Sequence, residues 1–277
     1  MFMTDLDFER YGFFGDSRYP VIYQHGNTPH GDNTMAVFNA GVEAGVTHIE
    51  VDGRATKGKE LLARHNHLLD DGVTLVSSLS VADRIAAQRD YPDLVLVDNV
   101  YEAYPGHGIS LDPKPDDAVW NIGDYSHYDP GAALAVKIID RHNAEKRTAF
   151  GSFATQNLEI GRAAFPDMVT TTSIEELIEI AKMIEDPHHV PEIKIEGKIA
   201  SVPEIETDFG FGRVITPEFL AMCHKLGLRV HAWTYDDPED IRRLLGMGEG
   251  IDGWYADGPA VSIDVARQLG RWPVAGG

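Results

Sequence analysis

Eight short apolar or β-branched runs, at residues 21–25, 47–52, 108–112, 148–153, 168–172, 199–203, 229–234 and 252–257, alternate with helical patterns along the chain. The helical stretches include residues 34–44, 80–89, 131–142, 174–185, 217–226 and 238–246. Strand then helix, repeated to a count of eight, predicts an α/β fold closed as a (β/α)8 TIM barrel. Pro217 follows a threonine and Pro238 an aspartate, the chemistry of a helix start.

Two stretches break the alternation. In residues 60–76, ELLARHN reads as a short strand and HLLDDG as a turn, an excursion after strand 2 at the barrel mouth. Residues 112–130, rich in proline, aspartate and aromatics, read as a long loop over the same mouth, and 185–197 and 204–212 as further loops. With no internal repeat, low-complexity tract or separating linker, residues 1–277 read as one domain.

Charge narrows the function. Twenty-four basic against 44 acidic residues give a net charge of −20, which argues against nucleic acid and against adsorption to anionic membranes. A phosphate-bearing substrate then has to be drawn in by a metal or a few local cations. The single cysteine, Cys223, excludes an intramolecular disulfide and fits a reducing compartment. The acidic start MFMTDLDFER lacks the apolar segment of a signal peptide, and no apolar run approaches the ~20 residues of a spanning helix. A soluble cytoplasmic protein is the expectation.

A barrel of this class keeps its active site at the C-terminal strand ends. His25 ends the first strand, Glu50 and Asp52 the second, Asp112 and Lys114 the third and Trp233 the seventh, with His65 on the excursion. Glu50 and Asp52, two apart in a strand, point to one side, and Arg54 continues that face. Two carboxylates aimed together repel unless a cation or proton sits between them, so one hard divalent cation, Mg²⁺ or Ca²⁺, is expected. Each residue also has a structural reading: a solvated strand end for Glu50 and Asp52, a core histidine for His25, a surface ion pair for Asp112 with Lys114. The His-x-His of HNHLL suggests zinc hydrolases, but the further histidines such a site needs on later strands are missing.

Taken together and in order, these motifs resemble those of the glycerophosphodiester phosphodiesterases, over nearly the whole chain from Val21 to about Ala260. The family's histidine-arginine pair and its Pro-Glu-Asn-Thr read here as His25-Gly26 and Gly31-Asp32-Asn33-Thr34. Its Ile-Glu-x-Asp-Val reads Ile49-Glu50-Val51-Asp52-Gly53, followed by Thr56-Lys57; its His-Asp reads His65-Asn66, with Leu69 beyond; its Glu-x-Lys reads Asp112-Pro113-Lys114. The late stretches VHAWTYDDPEDIRRLL and IDGWYADGPA are similar to the family's Trp-Thr strand and its closing Gly-x-x-x-Asp-x-Pro. The departures are specific. Gly26 stands where the family has a phosphate-contacting arginine, Asp32 where it has glutamate, Asn66 where it has aspartate and Asp112 where it has glutamate. The related venom-type phospholipases D also carry aspartate at the third ligand position and lack the arginine, but their disulfide-bonded loops have no equivalent here.

The resemblance implies metal-dependent hydrolysis of glycerophosphodiesters or similar small phosphodiesters. On it, Glu50, Asp52 and Asp112 hold the cation, His25 and His65 divide the acid and base roles, and Lys114 donates to the phosphate. Trp233 walls the glycerol or headgroup, and Arg54 is expected to replace the donor lost at Gly26. Two alternatives stand beside it: a phospholipase D-like enzyme in which a hydroxyl of a lysophospholipid forms a cyclic phosphate, and a non-catalytic barrel that retains the metal site. The nucleophile, the released alcohol and the oligomeric state stay open.

Overall fold

In a computed structural model, residues 8–15, 19–29, 31–115, 130–206, 212–248 and 250–272 are described. Eight strands form the expected barrel: β1 (Val21–Gln24), β2 (His48–Ala55), β3 (Gly108–Pro113), β4 (Thr148–Phe150), β5 (Val169–Thr170), β6 (Ile199–Pro203), β7 (Arg229–Trp233) and β8 (Gly253–Ala256). Neighbours pair in parallel from β6 through β7 and β8 to β1, then on to β5. A bridge between Thr171 and Ile199 closes the seam between β5 and β6, with the Thr172 N–H donating to the Ile199 carbonyl at 2.8 Å.

The period of two sorts side chains between the layers. On β2, Ile49 and Val51 point outward into an apolar layer shared with Phe38 and Ile139 of the surrounding helices, so His48, Glu50 and Asp52 point inward. The lower interior is plugged by Phe13, Val21, Tyr23, Ala149, Ile199 and Tyr255. Tyr23 stacks on Tyr255 with ring centroids 4.2 Å apart, and its hydroxyl meets His231 Nδ1 at 2.8 Å.

The expected helices form with small shifts at their ends. Pro217–Lys225 is capped by Thr216 and Pro238–Leu245 by Asp237, each with proline in the first turn, and Ile174–Glu185 opens on a Ser173–Glu176 capping box. Helices Val97–Ala103, Thr155–Ala164 and Pro259–Gln268 were not among those predicted. Gly161 interrupts the apolar period of the second, and packing keeps it small: a Cβ there would lie 3.2 Å from the Phe150 ring.

The excursion after β2 is present. Leu61–Ala63 runs antiparallel to β2, pairing Ala63 with Gly53, and covers a small core of Leu62, Leu69, Val76, Leu79 and Leu94. Residues 185–197 form the expected loop beyond their helix. Residues 204–212 instead begin and end in a short antiparallel ladder, Ile205–Glu206 with Gly212–Arg213; 207–211 lie outside the described residues, as do 116–129 of the predicted loop. Among the described residues no helix is long and apolar enough to cross a membrane.

Candidate active site

A cavity of about 320 Å³ opens at the C-terminal ends of the strands. Seven of the eight residues singled out from sequence line it: His25, Glu50, Asp52, His65, Asp112, Lys114 and Trp233. The register makes this happen. β2 and β3 pair with Asp52 directly opposite Asp112, both on the interior face, and Glu50 lies one interior position below, opposite Ser110. Lys114, two residues past Asp112, turns its ammonium back between the aspartates, 2.7 Å from Asp112 Oδ2 and 2.9 Å from Asp52 Oδ1.

These charges shift one another. Burial and the neighbouring Asp52 charge push the Glu50 carboxyl well above the usual carboxylate range, against the pull of Lys114 and of the Gly26 N–H that it accepts at 2.8 Å. Burial would raise Asp52 as well, but Lys114, His65 and the Asn33 amide outweigh it and hold the carboxyl down at about 2. Lys114 loses some basicity to burial, and Asp112, Asp52 and Glu50 more than restore it, so it stays charged. The rim therefore carries three carboxyl groups around one ammonium, and the raised Glu50 shows that it is short of positive charge. That donor set fits a hard divalent cation. As the side chains stand, no three histidine, cysteine or carboxylate groups gather as a ligand cluster among the described residues, and the ammonium fills the space between Asp52 and Asp112.

His25 is set by a group that sequence reasoning left without a role. Its Nδ1 lies 2.7 Å from Asp257 Oδ1, at the end of β8, and its Nε2 lies 4.0 Å from Glu50 Oε2. Barrel closure makes β8 the neighbour of β1, and that was the available signal for Asp257. Asn33 is the second such residue. Fully buried and in the left-handed region at φ 57°, it donates its amide to Asp52 Oδ2 at 2.8 Å and accepts the Asp52 N–H at 2.9 Å. Asp32 holds the other histidine: its carboxylate accepts the backbone N–H of His65 at 2.7 Å and of Asn66 at 3.1 Å. The histidines of HNHLL part company, His65 into this cavity and His67 into an adjacent one.

The expectation for Arg54 is corrected. It lines the adjacent cavity, and its guanidinium donates to the His65 carbonyl at 2.6 Å and the Pro115 carbonyl at 2.7 Å. At its far end, over Gly53–Ala55, β2 pairs with the antiparallel strand Leu61–Ala63, and the Arg54 side chain spans to the loops instead of the cavity. Gly26 has its own reason to be small. A Cβ there would stand 2.4 Å from Asn33 Oδ1 and 2.7 Å from the Glu50 carbonyl, so this packing cannot hold an arginine.

Known proteins share this frame. Over 260 residues the chain is 25% identical to "Probable glycerophosphodiester phosphodiesterase 2" of Mycobacterium tuberculosis, covering 87% of each. Over 247 residues it is 24% identical to the glycerophosphodiester phosphodiesterase of Caldanaerobacter subterraneus subsp. tengcongensis, covering 86% of this chain and 93% of that one. The fold is similar to that of an Oleispira antarctica phosphodiesterase solved with the product sn-glycerol-3-phosphate, with a TM-score of 0.67 at 16% identity over 90% of this chain and 97% of that one. Residues 16–261 match the model of one family almost from end to end of the barrel, and the chain belongs to it: the glycerophosphoryl diester phosphodiesterase family.

Proposed function

We propose that this protein hydrolyses glycerophosphodiesters or closely similar small phosphodiesters with the help of one divalent cation, Mg²⁺ or Ca²⁺. The observation that carries the reading is the meeting of two imidazoles, three carboxylates and one ammonium around a single cavity. Glu50, Asp52 and Asp112 would hold the cation. When bound, it supplies charge that offsets the negative charge growing on the phosphoryl oxygens.

The chain's own groups do the rest. Asp257 accepts from His25 Nδ1–H, which fixes the tautomer and leaves the lone pair of Nε2 on the cavity side. In that state His25 takes a proton from the attacking hydroxyl group. His65, on the excursion, gives a proton to the departing alkoxide oxygen as its bond to phosphorus breaks, so it leaves as a neutral alcohol. The Lys114 ammonium donates to a phosphoryl oxygen, and the Trp233 ring walls the organic part of the substrate. Asn33 and Asp32 keep Asp52 and His65 in place through contacts that lie behind the cavity.

Turnover of a glycerophosphodiester followed by ³¹P NMR, with and without chelator, tests the reading. Growth of a glycerol phosphate monoester that stops on chelation and resumes with added Mg²⁺ or Ca²⁺ supports it. A cyclic diester would point to attack by a substrate hydroxyl, and turnover unaffected by chelation would remove the metal from the scheme.

A further inference from the structure

The far wall of the cavity differs from the charged rim. From the ends of β4, β5 and β6 it is lined by Gly151, Ser152, Phe153, Thr171, Thr172 and Ser201, none of them ionisable. Thr172 is 2% exposed, and its Oγ1 has no hydrogen-bond partner among the described residues. A buried hydroxyl without a partner costs free energy unless something else bonds it. Ser152 Oγ accepts from the Ala154 N–H at 3.1 Å and from the Asn157 amide at 3.4 Å, which leaves its O–H as a donor. Gly151 is not required by packing: a Cβ there would meet nothing nearer than the Leu111 carbonyl at 3.5 Å, so its small size leaves room in the cavity.

Taking the phosphodiesterase reading as its basis, we infer that this wall is a subsite for a neutral polyol on the leaving side of the phosphodiester, with Thr172 as its specificity-determining residue. A polyhydroxylated alcohol both donates to and accepts from the hydroxyls that line it. A trimethylammonium headgroup can do neither: it would bury Thr172 Oγ1 against methyl groups and leave it unpaired. Sites built to bond a hydroxyl discriminate strongly against a group that lacks one. The subsite therefore favours diesters carrying a polyol on both sides of phosphorus over those ending in a quaternary amine.

The test compares glycerophosphoglycerol with glycerophosphocholine, each with saturating Mg²⁺, for the wild type, Thr172→Val and Thr172→Ser. The wild type is expected to prefer glycerophosphoglycerol. Thr172→Val should lower kcat/KM for that substrate about tenfold, the worth of one hydrogen bond, while glycerophosphocholine changes less than about twofold. Thr172→Ser should restore the preference. Because the hydroxyl has no partner among the described residues, the valine variant should unfold at the wild-type temperature or above it; a lower one would mean a structural role and overturn the inference. An equal fall on both substrates would overturn it too, since the wall would then read the glycerol they share, and so would no change on either, since the substrate would then not bond Thr172. Failure of the wild type to turn over either diester would remove the phosphodiesterase reading itself, an outcome separate from lost selectivity.

Discussion

Asp257 Oδ1 lies 2.7 Å from Nδ1 of His25, so the last barrel strand orients the imidazole that ends the first. The carboxylate needs the Nδ1 proton, and the ring then presents Nε2 as an acceptor. Asp257→Asn supplies an amide that can donate to Nδ1 and favour the opposite tautomer. We expect kcat to fall by about 10²-fold or more with little change in KM. Steady-state kinetics beside a thermal melt checks this; a loss confined to KM would place Asp257 in substrate binding.

Asn33→Ala should be costly without touching substrate. It removes the donor to Asp52 Oδ2 and the acceptor of the Asp52 N–H, both buried. A loss of about 2–3 kcal/mol in denaturant stability is expected, with activity down by more than tenfold. Asn33→Asp should be at least as damaging, because it sets a second carboxylate against Asp52.

Restoring the family's arginine should not repair anything. In Gly26→Arg the new Cβ meets Asn33 and the Glu50 backbone at distances no real contact allows. Gly26→Ala alone is expected to destabilise by about 1–3 kcal/mol through overpacking, and the arginine variant to be poorly soluble or inactive. Expression level and urea unfolding decide it; a folded, more active Gly26→Arg would show that Asn33 yields.

Glu50 gives the metal-free protein a pH signature. Its folded carboxyl holds its proton above the usual range because of burial and Asp52, so its contribution is complete at low pH and is lost as pH rises through the raised value. Asp52 runs the other way, contributing above the ordinary aspartate range and losing that only as pH falls towards about 2. Glu50→Gln removes the alkaline loss. With chelator at pH 7 it should melt about 2 °C or more above the wild type while turnover is abolished, and the gap should close towards pH 4.

Arg54→Ala separates a brace from a phosphate donor. With its bonds to the His65 and Pro115 carbonyls gone, kcat and melting temperature should fall together while KM stays near the wild-type value. A rise in KM alone would return Arg54 to the substrate.

Much of this was legible before any coordinates, for physical reasons. The barrel follows from eight alternations of period, and the inward aim of Glu50 and Asp52 from the two-residue repeat of a strand. The contacts behind the site were harder to read. Asn33 reaches Asp52 only because it adopts a left-handed backbone, and Asp257 reaches His25 only because the sheet closes; neither is written in local spacing. Arg54 shows the limit from the other side. Its phase along β2 is that of Asp52, but phase says nothing about where a long side chain ends once an antiparallel partner has captured its strand.

The stacked rings of Tyr23 and Tyr255 seal the barrel below the reaction chamber. Among the described residues, that floor makes the chamber a well that opens at the rim. Where both fragments leave by that opening, the one nearer it has to depart before the deeper one can follow.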